Sequence, residues 1–202
     1  MKGKQSKDLL EFDRTDRVGL RILLWATVGL AFGAQVLEPL SAWVRGRPIE
    51  VPFFSEVTVP ALDKVGTGYG VADYLVTIDQ PQALDHLLAV LPGIFLVALA
   101  VAGAVVVQRV MKAVSTGAPF AAAQIGRLRL LAALLAFGSV VHAFLALSCN
   151  GAILGRADLG GLSPALSFSF PWLPMVLGVV IAMIAEAFKA GARLQDDVEG
   201  LV

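Results

Sequence analysis

Residues 87–107 read LLAVLPGIFLVALAVAGAVVV, a run without one formal charge. A helix rises about 1.5 Å per residue, so roughly 20 apolar residues cross a hydrocarbon core of about 30 Å. The stretch is long enough, and it reads as a transmembrane helix. Pro92 and Gly93 fall about one turn into it and are expected to kink it, which spans tolerate where neighbouring groups satisfy the freed carbonyl.

Three more runs of this kind lie on either side. Residues 18–37 (VGLRILLWATVGLAFGAQVL) carry only Arg21, near their start; residues 128–147 follow a basic entry; residues 171–188 hold one acid, Glu186. The composition agrees. The 202 residues are 57% hydrophobic and 16% charged, against about 25% charged in soluble domains, and the mean hydropathy is +0.76. The expected fold is an α-helical integral membrane protein with four transmembrane helices.

Charge placement sets the expected orientation, because Lys and Arg near span ends stay cytoplasmic. Lys2, Lys4, Lys7, Arg14, Arg17, Arg21, Arg109, Lys112, Arg127, Arg129, Lys189 and Arg193 flank one side; Arg45, Arg47, Lys64 and Arg156 flank the other. Both termini are therefore expected in the cytoplasm of a multi-pass plasma-membrane protein. The first apolar run exceeds the 7–15 residues of a signal peptide and lacks an A-x-A site, so it is expected to be retained. Residues 1–17 then form an N-terminal arm, 18–194 a membrane domain, and 195–202 an acidic tail.

Between the spans, residues 39–86 and 148–170 form the extracytoplasmic loops, the first too long for a simple connector. Residues 49–60 (IEVPFFSEVTVP) and 68–78 (GYGVADYLVTI) are rich in β-branched and aromatic side chains, with turn residues at 63–66. They predict an antiparallel pair. Residues 165–170 (ALSFSF) alternate and predict a third strand, giving a small extracytoplasmic β-rich cap. Asp79, Pro81 and Gln82 predict a helix start ahead of the second span. On the other side residues 115–120 break the chain, and the third helix is expected to begin near Pro119.

Chemistry-bearing residues are sparse. A single cysteine, Cys149, excludes an intrachain disulfide, a Cys-based zinc site and a CxxC pair. Only His86 and His142 supply imidazoles, and no nucleophile elbow, HExxH, Walker or dinucleotide motif accompanies them. No catalytic, cofactor or metal residues are expected. The N-terminal arm mixes acids with its cations, so no direct nucleic-acid contact is expected either.

An intramembrane carboxylate is costly and normally faces a partner or water. The third and fourth spans are antiparallel, which brings Arg127 and Arg129 to the depth of Glu186. An ion pair that pins the two helices is expected, with proton or ion coupling the alternative. His142, Gln35 and Glu38 lie at similar depth toward the outer end and are expected to hydrogen-bond across helices. Gly29 and Gly33 form a GxxxG pair, read first as packing within the chain and second as a dimer contact.

Two segments carry a resemblance: Gly117-Ala118-Pro119-Phe120 followed by Ile125-Gly126-Arg127-Leu128-Arg129, and the closing run 185–197, AEAFKAGARLQDD. They resemble the bacterial four-span membrane family catalogued as domain of unknown function 2975, with its G-x-P-F turn, R-L-R helix entry and A-E-x-F-x-x-G-x-x-L ending before an acidic tail. Many relatives have Thr or Ser after the turn, where this chain has Ala121. The resemblance implies no reaction. It implies a non-enzymatic membrane protein encoded beside a small helix-turn-helix transcriptional regulator, which it would hold at the cytoplasmic face. The tail residues Asp196, Asp197, Glu199, Leu201 and Val202 are the expected docking segment, since acids there compete with DNA phosphates for a basic surface. The alternative is a small proton-linked transporter using Glu186 or His142.

Overall fold

Each apolar run forms a helix longer than the run itself. The computed structural model describes residues 14–57, 70–115, 121–157, 159, 164–166 and 168–199. Helix α1 (Arg14–Phe32) passes through a π turn (Gly33–Leu37) into α2 (Glu38–Val44). Strands β1 (Ile49–Val57) and β2 (Gly70–Ile78) follow, then α3 (Ala83–Ser115). Helix α4 (Ala122–Ala133) continues through a second π turn (Leu134–Gly138) into α5 (Ser139–Leu154), and α6 (Trp172–Glu199) closes the chain. Among the described residues four helices are thus long and apolar enough to cross a membrane: Thr15–Val44, Ala83–Val114, Ala122–Leu154 and Trp172–Leu194.

The extra turns shorten the connections expected from sequence. The first long helix runs to Val44 rather than stopping near residue 37, and the third runs to Leu154 rather than 147. Gly46, at a φ of 62°, turns the chain out of α2, a left-handed conformation that favours glycine. The expected start of α3 shifts by three residues. Gln82 is its cap, and the Asp85 carboxylate accepts the Gln82 backbone N–H at 2.9 Å, the back-reaching half of a capping box. The third helix begins at Ala122; Ala121 precedes it in extended conformation and supplies no side-chain cap. Of the expected break at 115–120, Ser115 still belongs to α3 and the rest, with Pro119, lies outside the described residues, as do the turn residues 63–66 and the arm before residue 14.

The four long helices pack as a row. Every extensive helix–helix contact joins chain neighbours: first with second, second with third, third with fourth. The second helix is the most enclosed, with Val90, Ala104, Val106 and Ala113 buried along it. Val28 and Val36 are buried on the first helix, whereas Ile22, Leu23 and Leu30 are exposed. Such apolar outward faces suit lipid contact, where helices associate through close backbone packing rather than by hiding oil from water.

Glycines set two of these crossings. A β-carbon on Gly93 would lie 2.0 Å from the Gln35 carbonyl oxygen, so the first π turn abuts α3 one residue after Pro92. The helix runs through Pro92 unbroken, although proline leaves the Leu88 carbonyl without its intrahelical donor. On the other side a β-carbon on Gly178 would lie 2.8 Å from the Ala132 oxygen. The GxxxG pair does neither: among the described residues nothing lies within 4 Å of where side chains of Gly29 and Gly33 would begin. Packing within the chain is therefore not their role, because the buried seam of that helix runs along Val28 and Val36 instead.

Strands β1 and β2 pair antiparallel, Ile49 opposite Ile78, Val51 opposite Val76 and Phe53 opposite Tyr74. Alternation puts Val51 and Phe53 on one face, where they join Ile153 and Leu154 of α5 in a buried cluster. Val76, Ile78, Leu88 and Leu166 pack against it. The cluster seats the sheet on the ends of α3 and α5. The third strand does not form among the described residues: the sheet has two strands, and Ala165 makes only an isolated bridge. Leu166 is drawn into the apolar cluster, and Phe168, Phe170 and Trp172 pack on one another instead.

Candidate functional site

The third and fourth helices approach closely at Gly178, and about two turns farther along α6 comes Glu186. Its carboxylate accepts from the Arg129 guanidinium in a direct ion pair. Lys189, one turn on, lies 3.8 Å from the other carboxylate oxygen. Both main partners are half exposed, Arg129 at 49% and Glu186 at 58%. The arrangement is a peripheral clamp between α4 and α6.

Arg127 is not part of that clamp. Two residues along a helix is a rotation of about 200°, so Arg127 and Arg129 face opposite ways. Arg127 donates to the Gln124 side-chain oxygen at 3.0 Å and to the Arg109 carbonyl oxygen at 3.5 Å. It therefore ties α4 to the end of α3. The two arginines expected to share one acid instead bind α4 to a different neighbour each.

The expected polar cluster is not assembled. His142 is half buried on α5 and lines a cleft of about 560 Å³ with Ser139, Asn150, Phe168, Ser169 and Pro52. Gln35 and Glu38 are exposed on the first long helix, which packs on the second rather than the third. Similar depth did not bring these residues together, because the row keeps the second helix between them.

A linkage at the same end as the sheet was not singled out from the sequence. Asp85 is only 5% exposed. One of its oxygens caps α3 and the other meets Arg156, just past α5, at 3.3 Å. Next to it His86 is buried and stacks on Trp43 of α2, ring centroids 5.2 Å apart and planes 11° from parallel. Consecutive residues of one helix turn thus hold both neighbouring helices. The signal in the sequence was an acid three residues after a cap position, read three residues too early.

Part of the tail falls among the described residues. Helix α6 extends past the apolar part at Leu194 to Glu199, carrying Asp196 and Asp197 on helical backbone, and Asp197 is exposed. Leu201 and Val202 lie outside the described residues. Among the described residues no three of His, Cys, Asp and Glu gather closely enough to hold a metal ion, and Cys149 is buried as a free thiol.

The fold and its ion pairs define a class: a mostly helical chain with four helices long and apolar enough to cross a membrane, clamped by polar links near the helix ends. No family model, curated protein or solved structure matches the chain.

Proposed function

We propose that the chain is a multi-pass protein of a bacterial plasma membrane, with both termini in the cytoplasm and the β1–β2 sheet as an extracytoplasmic cap. Its function is to respond to envelope conditions and hold a small helix-turn-helix transcriptional regulator at the cytoplasmic face. The observation that carries this reading is the extension of α6 as a helix from Leu194 to Glu199, which presents acidic residues beyond the apolar segment. The Arg129–Glu186 clamp supports it by tying the base of that extension to α4. The excess of Lys and Arg at this end supports the orientation, and the resemblance to the family catalogued as domain of unknown function 2975 supports the regulator as partner.

The test is a crosslinked pull-down from native membranes with the full chain and with a chain ending at Leu194. A helix-turn-helix protein recovered only with the full chain, and lost on Asp196→Asn with Asp197→Asn, is the expected result. Equal recovery by both chains, or no soluble partner, overturns the docking role. Orientation is tested separately: in a Cys149→Ser background, Glu50→Cys should react with an impermeant maleimide in intact cells, and Asp197→Cys only after permeabilisation.

The second reading, a proton-linked transporter, draws support from His142 lining a cleft. Under it, His142→Gln abolishes a pH-dependent flux; unchanged flux removes it. Glu186 serves it less well, since its carboxylate is already held by Arg129 and Lys189.

A further inference from the structure

Arg17 and Arg21 lie four residues apart on α1, and Gln108 and Lys112 four apart on α3, so each pair shares a helix face. The two helices are antiparallel neighbours, and these faces meet around a cavity of about 530 Å³ lined also by Arg109 and, on its apolar side, Val105. Among the described residues four cations and no carboxylate line it. Asp16, the acid adjacent in sequence, is outside the lining, and Asp16 and Lys112 each already have a partner. Two donors decide the chemistry: among the described residues Nε of Arg17 and Nε2 of Gln108 are buried with no hydrogen-bond partner. Buried donors without acceptors are costly, and a side-chain rotation that turns them into this cavity would let an ordered anion satisfy them.

We infer that this cavity binds a phosphate group, that of an anionic phospholipid headgroup. The guanidinium fork matches phosphate geometry, and arginine is more weakly hydrated than lysine, which favours it at such a site. Basic pockets between helices at the cytoplasmic end are where membrane proteins take up acidic headgroups. The cavity lies between two lipid-facing helices at the end where the chain concentrates its cations, so a headgroup reaches it from the leaflet with its acyl chains along the helices. The inference rests on the bilayer placement proposed above and is independent of any regulator.

The experiment uses the full chain reconstituted in vesicles of phosphatidylcholine alone or with phosphatidylglycerol, and in detergent with either lipid or inorganic phosphate added. The readouts are lipid retained by native mass spectrometry and the rise in melting temperature. Phosphatidylglycerol should be retained at least tenfold over phosphatidylcholine and should raise the melting temperature. Arg17→Gln with Arg109→Gln should abolish both effects, while Arg45→Gln with Arg47→Gln at the opposite end should leave them intact. Gln108→Leu removes one orphaned donor without a charge change; it should fold and lose the response to phosphatidylglycerol. A chain that inserts into both vesicle types but shows no preference for phosphatidylglycerol, or an effect equal in the two arginine pairs, overturns the site while leaving the membrane reading intact. An Arg17-dependent response to inorganic phosphate alone keeps the phosphate chemistry and overturns the lipid source. Failure to insert into either vesicle overturns the membrane reading itself.

Discussion

The carbonyl oxygen of Gln35 occupies the space that a side chain at Gly93 would need, 2.0 Å from the position of its β-carbon. Backbone meets backbone there, the kind of approach in which Cα–H···O contacts form between helices. The meeting point couples the π turn of the first helix to the proline turn of the second, the two irregular places in a pair of otherwise regular helices.

Gly93→Ala should force the first and second helices apart. Overpacking costs about 1–3 kcal/mol where a neighbour can yield, and a backbone carbonyl yields little. The purified protein in detergent should melt at a clearly lower temperature. Gly29→Ala and Gly33→Ala meet open space and should be neutral or stabilising by up to about 1 kcal/mol through reduced chain entropy. Equal loss in all three would show that the GxxxG pair does pack.

The Arg129–Glu186 clamp should behave as a charge pair and not as a shape. Glu186→Gln and Arg129→Gln should each lower the melting temperature, and the exchanged double variant, Arg129→Glu with Glu186→Arg, should recover most of the loss. Arg127→Gln should be additive with Glu186→Gln, since Arg127 bonds Gln124 and the Arg109 carbonyl. Coupling of Arg127 to Glu186 in a double-mutant cycle would refute the assignment.

Asp85 joins the start of α3 to the end of α5 and should be sensitive in two separable ways. Asp85→Asn keeps an acceptor for the Gln82 amide but loses the charge facing Arg156; Asp85→Ala loses both. Loss of the cap alone costs about 0.5–2 kcal/mol, so the alanine variant should be the less stable. Hydrogen exchange should show faster opening of the first turn of α3 in Asp85→Ala than in Asp85→Asn.

Phe53 is 2% exposed in the cluster that seats the sheet. Phe53→Ala should cost about 3–5 kcal/mol if that cluster melts with the rest of the fold. A two-stranded sheet has little stability of its own, so amide protection should fall throughout β1 and β2 while the centre of α3 stays protected. Unchanged protection in the strands would mean that the sheet does not depend on α5.

The four long helices were legible because hydropathy is local: each run of residues carries its own solvent preference, wherever its neighbours lie. The Arg129–Glu186 pair was legible for a related reason, since consecutive antiparallel helices fix which residues share a depth. Arg127 was assigned to the same acid although a two-residue step turns it to the far side of α4. The third strand was expected from the alternation in residues 165–170, but Leu166 had a better place in the cluster with Val51 and Ile153.

Depth along a helix is therefore what the sequence determined, together with helix length, the two-strand pairing and the end at which the cations gather. Lateral order is what only the tertiary structure decided. It separates His142 from Gln35 and Glu38, chooses Gly93 and Gly178 over Gly29 and Gly33 as points of close approach, and brings Arg17 to Gln108 around one cavity. The physical reason is that an apolar helix has almost no preferred face by hydropathy, so its partners are chosen by where backbones fit together, a property of two surfaces at once.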